Sequence, residues 1–207
     1  CLNYITLQHI IETITGQSLR DFAKENIFDI LGMQYTDYLP TIQQQDGKWI
    51  NTVACPWMDR IAPTEKQKDG SVLCGQVHDP LARILNGGIS GNAGIFSNAN
   101  DIGILAAALL NGGEYNGHRI LSPLGVKTMC TVPRELTAFG RTPGWDIFSP
   151  YASNKGDLFS PNTFGHTGYT GTSIIIDPDN DTAVILLVNA VHPEDRHSIV
   201  RDRKSVV

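Results

Sequence analysis

Residues 164–176 read FGHTGYTGTSIII and place a histidine and three glycines directly before a run of β-branched residues. Glycine inside a strand costs conformational entropy and packs no side chain, so clustered glycines usually mark a close approach to the backbone. Spacing alone leaves two interpretations open. Either a substrate approaches this backbone, or the stretch is a bulged strand end with a hydrogen-bonded histidine.

A strand through this stretch could place backbone donors at a reaction centre. Amides aimed at a developing oxyanion are each worth about 2.7–4 kcal/mol of transition-state stabilisation. We expect strand backbone at Gly168 and Gly171 to present N–H groups to a ligand, with the amide of Tyr169 as the candidate oxyanion donor. His166 and Thr167 would stand at the rim, where an imidazole and a hydroxyl can orient a carboxylate or relay a proton.

Two β-rich runs, residues 172–177 and 182–189, are separated by the sequence Asp-Pro-Asp-Asn-Asp. This pattern predicts an antiparallel hairpin. The acidic residues also suggest a cation loop, but an EF-hand requires Gly at its sixth position and Glu at its twelfth. Because Thr182 and Val188 occupy those positions, the acidic segment is predicted to be a turn.

Helices are predicted at the start of the chain. Apolar residues recur at helical spacing from Tyr4 and stop at Gly16, which is a typical C-cap. Ser18 is placed to cap a second helix, with Asp21 in the first turn where the helix dipole favours a carboxylate. Residues 40–75 are polar and irregular, and we expect a long surface loop anchored by its tryptophans.

Two more helices are predicted in the middle of the chain. A glycine-rich loop leads into a strongly apolar, and therefore buried, helix capped near Ser97 and ended by Asn111 and two glycines. Ser122 followed by Pro123 predicts the start of another short helix. Since helices precede the strands, the fold class is α+β, and the 207 residues are predicted to form a single, partial domain.

Composition excludes several classes of function. A net charge of −5 without a basic face argues against nucleic-acid binding, and no apolar run reaches the length of a membrane span. The four cysteines and six histidines show no metal-binding spacing, so we expect neither a metal nor a cofactor. The cysteines are interpreted as free or buried thiols.

Several stretches together resemble the serine β-lactamase and penicillin-binding-protein superfamily, in the branch that holds class C enzymes and esterases. The stretch GHTGYTGTSIIIDPDNDTAVILLVN resembles its third active-site motif, Lys-Thr-Gly or His-Thr-Gly, and the hairpin that follows. The resemblance implies an antiparallel sheet whose C-terminal hairpin packs against helices, as in β-lactamases and transpeptidases. It also includes, in order, residues 2–33, residues 60–65, residues 75–102 and residues 109–123.

The resemblance implies acyl transfer, in which a serine attacks a carbonyl, a lysine one turn later activates it and a Tyr-x-Asn motif assists proton transfer. This sequence departs from that pattern, since no Ser-x-x-Lys occurs and Cys1 falls at the third position of Tyr-x-Asn. We therefore expect the C-terminal part of a serine hydrolase domain, with a fold incomplete at the N-terminus. Alone it is predicted to be inactive, with one face of the hairpin and of the helix near residues 105–110 exposed or covered by its N-terminal segment or by another chain.

The candidate site residues follow from the motif and from the central loop. Catalytic roles are assigned to His166, Thr167, Gly168 and Tyr169. Substrate contacts are assigned to Cys1, Ser90, Asn92 and Thr170. Each has a structural alternative, such as a packed aromatic for Tyr169. His78 could lie near the site, but a surface or loop-tethering histidine is favoured.

Two functions from different classes remain. The first is a serine hydrolase that acts on a carboxylic ester, a β-lactam or a D-alanyl peptide, so the partner is a small-molecule or peptidoglycan-like substrate. The second is a non-catalytic binding module related to penicillin-binding proteins. The family resemblance implies a periplasmic or cell-surface location.

Overall fold

A computed structural model of the chain describes residues 1–149 and 156–195. Contacts between Cα atoms divide these residues into two compact units, which are described separately. The first unit contains Cys1–Asn98 and Val191–Asp195, and the second contains the described part of Ala99–Ala190. Both units combine helices with small antiparallel sheets, so the predicted α+β class is confirmed.

The first unit opens with three helices and contains four short strands. The helices are α1 (Leu2–Thr15), α2 (Leu19–Ala23) and α3 (Asp29–Leu31), with a π-helical turn (Lys24–Phe28) between the last two. The strands are β1 (Asp37–Tyr38), β2 (Thr41–Gln43), β3 (Trp49–Asn51) and β4 (Ile95–Phe96). β1 pairs with β4, and β2 pairs with β3, both antiparallel.

The helix ends of the first unit follow the predicted caps. Gly16 closes α1 with a φ of 70°, a left-handed conformation that favours glycine. The Ser18 hydroxyl accepts a hydrogen bond from the amide of Asp21 and so caps α2. The Glu12 carboxylate also accepts from the amide of Leu19 at 3.0 Å, which ties the end of α1 to the start of α2.

The segment 40–75 contains more regular structure than was predicted. β2 and β3 form a hairpin, and a short 3₁₀-helix (Met58–Arg60) follows. Trp57 lies against Tyr35, with ring centroids 6.5 Å apart, so it is an anchor as expected. The prediction of a purely irregular loop is therefore wrong, because residues 41–43 and 49–51 pair as antiparallel strands.

The second unit contains two helices and five strands. The helices are α4 (Ala99–Leu110) and α5 (Pro123–Cys130), followed by a 3₁₀-helix (Arg134–Phe139). The strands are β5 (Glu114–Tyr115), β6 (His118–Arg119), β7 (Phe164–Thr167), β8 (Ser173–Asp177) and β9 (Thr182–Leu186). No residue from 101 to 110 is exposed, as predicted for a buried α4. The expected exposed face of this helix near residues 105–110 is therefore wrong, because α4 packs against the last strand of the main sheet. The Ser122 hydroxyl caps α5.

The main sheet has the order β7-β8-β9 and is antiparallel throughout. Phe164 pairs with Ile176, which pairs with Ala183, so these three residues share the face that contributes to the core. α4 packs against β9 on this unit's core, and the predicted hairpin of β8 and β9 is confirmed. The predicted strand carrying Gly168 and Gly171 is wrong, because the chain reverses between β7 and β8.

Asp177 organises the turn that joins β8 to β9. Its buried carboxylate accepts hydrogen bonds from the amide and hydroxyl of Ser160, from the amide of Asp179 and from the backbone and side-chain amides of Asn180. Burial acts to raise the pKa of Asp177, but these hydrogen bonds outweigh it and hold the pKa well below the ordinary value. The predicted acidic turn is therefore a network centred on one carboxylate.

No helix among the described residues is long and apolar enough to cross a membrane.

Candidate active site

The segment between β7 and β8 is a compact turn of five residues, 168–172. The amide of Gly168 donates to the carbonyl of Thr172 at 2.8 Å, and the amide of Gly171 donates to the carbonyl of Gly168 at 3.1 Å. The expectation that these two glycines present N–H groups to a ligand is therefore wrong, because both amides are used inside the turn. The amide of Tyr169 stays the predicted oxyanion donor.

Both positions require glycine because the turn leaves no room for a side chain at either of them. A Cβ at Gly168 would collide with the Thr172 hydroxyl. Gly171 has a φ of 108°, and a Cβ there would lie 2.9 Å from the carbonyl oxygen of Val188. The amide of Ala190 also donates to the carbonyl of Thr170 at 2.8 Å, so the chain beyond β9 fixes the turn from the side.

His166 and Thr167 form the last two positions of β7, and both are exposed. Nδ1 of His166 lies 2.8 Å from the carbonyl oxygen of Thr167. A carbonyl oxygen only accepts, so Nδ1 must carry the hydrogen in this contact. Both residues are exposed, and their place at the rim of a substrate site stays a prediction.

Tyr169 and Thr170 lie within the turn itself. The Tyr169 side chain is 53% exposed, so it is not a packed aromatic of the core. Thr170 is half-buried, and its carbonyl is held by Ala190. The end of β7 and the turn thus carry five predicted site residues, which are the catalytic four and Thr170, along a single stretch of backbone.

Ser90 and Asn92 lie together in the glycine-rich loop of the first unit, and Ser90 is only 1% exposed. The Ser90 hydroxyl donates to Oδ1 of Asn92 at 2.6 Å and accepts from Nδ2 of Asn86 at 2.7 Å. The Tyr38 hydroxyl donates to the Ser90 carbonyl at 3.4 Å, and burial raises the pKa of Tyr38 to about 12. Substrate contact by Ser90 stays a prediction, and its hydroxyl here holds the loop together.

Gln8 fixes the same loop to α1 and was not foreseen. Its side chain is buried, where Nε2 donates to the carbonyl of Ile89 at 3.1 Å and Oε1 accepts from the amide of Gly91 at 3.0 Å. A Cβ at Gly91 would collide with the carbonyl of Tyr4, so the loop and the helix approach backbone to backbone. The sequence offered one signal for this role: Gln8 is polar and lies one turn after Tyr4 on the same face of α1.

Cys1 lies at the N-terminus of α1 and is exposed. Its carbonyl accepts from the amides of Tyr4 and Ile5 at 3.1 and 3.2 Å, but its side chain caps no amide. Cys1 belongs to the same unit as Ser90 and Asn92, whereas His166 through Thr170 belong to the other unit. The geometry of each set of predicted site residues is therefore described only within its own unit.

His78 lies close to Glu65 and Arg83 in the first unit, which fits the loop-tethering interpretation. Its Nε2 lies 3.4 Å from Oε2 of Glu65, and its carbonyl accepts from Nη1 of Arg83 at 3.0 Å. Desolvation lowers the pKa of the buried Arg83, and the negative charges of Glu65 and Asp79 oppose that shift. Among residues 1–149 and 156–195, no group of three or more His, Cys, Asp or Glu side chains could hold a metal ion.

Comparison with known proteins gives a consistent family match. A family model described as Beta-lactamase matches residues 2–206. A protein of Escherichia coli (strain K12), provisionally named D-alanyl-D-alanine carboxypeptidase, is 35% identical over 205 residues, covering 92% of this chain and 44% of that protein. The chain therefore spans less than half the length of this relative.

Solved structures share the fold at low sequence identity. A beta-lactamase from Mycobacterium bovis has a TM-score of 0.57 at 18% identity, covering 91% of this chain and 54% of that one. Simvastatin synthase from Aspergillus terreus has a TM-score of 0.58 at 17% identity, covering 94% of this chain and 50% of that one. These two similarities establish the β-lactamase-like fold of this chain.

Proposed function

Because the chain belongs to the beta-lactamase family, we propose that it forms part of a serine hydrolase that transfers the acyl group of an ester or amide. The single observation that carries this proposal is the end of β7, where His166 and Thr167 lead into the turn at residues 168–172. The sequence of this stretch resembles the family's third motif, Lys-Thr-Gly or His-Thr-Gly. The earlier assignment to the superfamily is confirmed by the family match.

The turn supports acyl transfer because it fixes backbone and side chains where the carbonyl of a substrate would bind. In the proposed site, the amide of Tyr169 donates to the oxyanion, a contact worth about 2.7–4 kcal/mol in such sites. His166 and Thr167 orient the substrate at the rim, and Thr170 contributes to the pocket wall. The glycines at 168 and 171 act by permitting the turn rather than by donating to the substrate.

The nucleophile is proposed to lie outside these 207 residues. No Ser-x-x-Lys occurs in the sequence, and the buried hydroxyl of Ser90 is already hydrogen-bonded to Asn86 and Asn92. A serine without an adjacent base is a weak nucleophile. The parent protein would therefore combine a serine and lysine from another segment with the turn described here, and the 207-residue chain alone would be inactive.

The proposed substrate is a D-alanyl peptide, a β-lactam or a carboxylic ester. The Escherichia coli relative carries a name that refers to D-alanyl-D-alanine, which favours the first of these. Action on a peptidoglycan-like peptide would place the parent protein in the periplasm or at the cell surface. A non-catalytic binding module is the second candidate, and the absence of Ser-x-x-Lys is the observation that favours it.

An exposed apolar face on α1 supports a further partner. Leu7, Ile10 and Ile14 are 50%, 47% and 79% exposed and lie on one side of the helix. Apolar surface of this kind usually marks an interface. We propose that an additional polypeptide segment, from the parent protein or from another chain, covers it.

A fusion protein tests the function directly. The part of the Escherichia coli relative that precedes its matched region is joined ahead of Cys1, because the family pattern places Ser-x-x-Lys there. The fusion should hydrolyse p-nitrophenyl acetate or release D-alanine at least tenfold faster than its Ser→Ala control. If a folded fusion binds D-alanyl peptide without turnover, the binding module is the better account.

A further inference from the structure

The outer side of α1 carries a straight line of exposed side chains. The line consists of four residues at spacings of four, three and four, namely Asn3, Leu7, Ile10 and Ile14. Residues at these spacings lie on one side of a helix, and we call this line the α1 seam. Its three apolar members are about half exposed or more. The seam extends over about 16 Å, or three helical turns.

The outer face of α1 has no charged side chain of its own. Among the residues of this helix, Glu12 is the one Asp, Glu, Lys or Arg. Its carboxylate is used on the inner side, where it accepts from the amide of Leu19 at 3.0 Å and from Nε2 of Gln8 at 3.1 Å. A helix face that meets water ordinarily carries charged and polar residues. The outer face of α1 therefore suits a protein neighbour better than solvent.

The hydroxyl groups beside the seam are also prepared for burial. Thr6 and Thr13 are one heptad apart and lie next to the seam on the outer side of α1. Each hydroxyl donates to the backbone carbonyl four residues earlier, at 3.0 and 2.7 Å. Because these donors already have partners inside the helix, a neighbour can exclude water from them without leaving a hydroxyl hydrogen unpaired.

A helix fits the α1 seam better than a strand or a loop. Side chains that alternate at spacings of three and four residues form a ridge, and a second helix packs along such a ridge at a shallow crossing angle. A helix also pairs its own backbone N–H and C=O groups. This matters here because the apolar members of the seam offer the backbone of a strand or loop no hydrogen-bonding partner.

The size of the seam indicates that the partner helix belongs to the same polypeptide. Separate proteins that associate stably bury about 800 Å² on each partner. Three aliphatic side chains that are only partly exposed supply much less than that. A helix that is covalently connected needs less contact, because the connection raises its effective concentration. A second copy of this chain is therefore the weaker candidate.

We propose that the α1 seam receives an amphipathic helix of at least three turns, supplied by a segment of the parent protein outside these 207 residues, whose contacting face is apolar and uncharged. The proposal rests on the proposed function for the existence of that segment. It deepens the proposed function by naming the structure and the chemistry of the partner.

Cysteine accessibility measures the contact directly. Ile14→Cys lies in the seam, and His9→Cys, at an exposed position of α1 outside the seam, is the matched control. Both are made in the 207-residue chain and in the fusion protein, and the reaction of each new thiol with a maleimide is followed by mass spectrometry. We expect Ile14→Cys to react at least tenfold more slowly in the fusion than in the chain, and His9→Cys to react similarly in both. Equal rates for Ile14→Cys in the two proteins, or equal protection of both positions, would overturn the proposal.

Hydrogen exchange identifies the segment that covers the seam. Ile10→Lys places a charge in the seam, and His9→Lys places the same charge outside it. In the fusion, we expect one continuous stretch ahead of Cys1, of about 11 residues or more, to exchange at least tenfold faster in Ile10→Lys than in His9→Lys. The absence of such a stretch would overturn the proposal. Protection of Ile14→Cys that rises with the concentration of the isolated chain would also overturn it, because a second copy would then cover the seam.

These results are separate from the test of the proposed function, since neither measurement needs turnover. A fusion that hydrolyses its substrate while Ile14→Cys stays reactive would refute the partner helix and retain the hydrolase. A folded fusion with a protected seam and no turnover would retain the partner helix and refute the hydrolase.

Discussion

The side chain of Gln8 hydrogen-bonds to the backbone on both sides of Ser90, accepting from the amide of Gly91 at 3.0 Å and donating to the carbonyl of Ile89 at 3.1 Å. The side-chain amide of Gln8 thus donates one hydrogen bond to the loop backbone and accepts one from it, as an adjacent β-strand would. Two residues 83 positions apart in sequence thereby define the shape of the loop that carries Ser90 and Asn92.

Replacement of Gln8 should destabilise the first unit. In Gln8→Leu the amide of Gly91 and the carbonyl of Ile89 lose their partners in a buried position. We expect the free energy of unfolding to fall by about 1–3 kcal/mol, the usual cost of a buried unpaired polar group. Urea denaturation measures the change, and Gln45→Leu, at an exposed position, is the control. Equal stability of the two variants would show that Gln8 does not hold the loop.

Gly171→Ala should disrupt the turn at residues 168–172. Its φ of 108° disfavours any side chain, and the new Cβ would approach the Val188 carbonyl and the Ala190 side chain. We expect a loss of about 1–3 kcal/mol in the free energy of unfolding, since strained backbone costs that much per residue. Gly117→Ala is the control, because Gly117 has a φ of 80° but no heavy atom within 4 Å. A loss no larger than that of the control would mean that steric contact is unimportant.

Asp177 should make the free energy of unfolding depend on pH in the acid range. Because the folded state holds the pKa of Asp177 below its unfolded value, its contribution is present above the unfolded pKa and is lost as the pH falls through the folded one. Stability should therefore decline below about pH 4, the ordinary aspartate range. Urea unfolding between about pH 2.5 and 6 tests this, with Asp177→Asn expected to be less stable at pH 6 and less sensitive to acid.

The control for this pH series is Asp59→Asn, at an exposed position of the first unit. Its stability should follow the acid dependence of the parent chain. An acid dependence of Asp177→Asn that matches the parent would show that the network around Asp177 does not hold an ionised carboxylate.

His166→Lys should favour an anionic substrate over a neutral one. In the fusion protein, an ammonium group at this position donates to the carboxylate of an anionic β-lactam, whereas a neutral ester offers it no charge to pair with. We expect the variant to raise the turnover of the β-lactam several-fold relative to the ester. Values of kcat/KM for parent and variant on both substrates, at one neutral pH, measure this. An unchanged ratio between the two substrates would make His166 a purely structural residue.

Local features of the fold were predictable from the sequence, whereas distant contacts were not. Gly16, Ser18 and Ser122 act through hydrogen bonds within a few residues, so their patterns identified the helix ends. The contact of Gln8 with Gly91 depends on how α1 meets a loop far along the chain, and no local pattern encodes it. Only the polar character of Gln8 on an apolar helix face indicated a buried role.

The error at the candidate site has a simple physical cause. The residues from 164 to 176 favour strand structure at both ends, and the glycines were interpreted as open positions in one strand. A glycine-containing segment of five residues between two strands is equally a hairpin turn, and the structure forms it. The amides of Gly168 and Gly171 therefore serve the turn rather than a ligand, and the motif at residues 166–168 stays a prediction.

Covalent labelling of serine tests the central claim most directly, namely that this chain supplies one wall of an acyl-transfer site whose nucleophile lies outside its 207 residues. The isolated chain and the fusion protein are each incubated with a labelled penicillin or a fluorophosphonate, and adducts are located by mass spectrometry. We predict no adduct on the chain and a single adduct on the fusion, at the serine of Ser-x-x-Lys. A stoichiometric adduct on any serine of the 207-residue chain, or none on a folded fusion, would contradict the account.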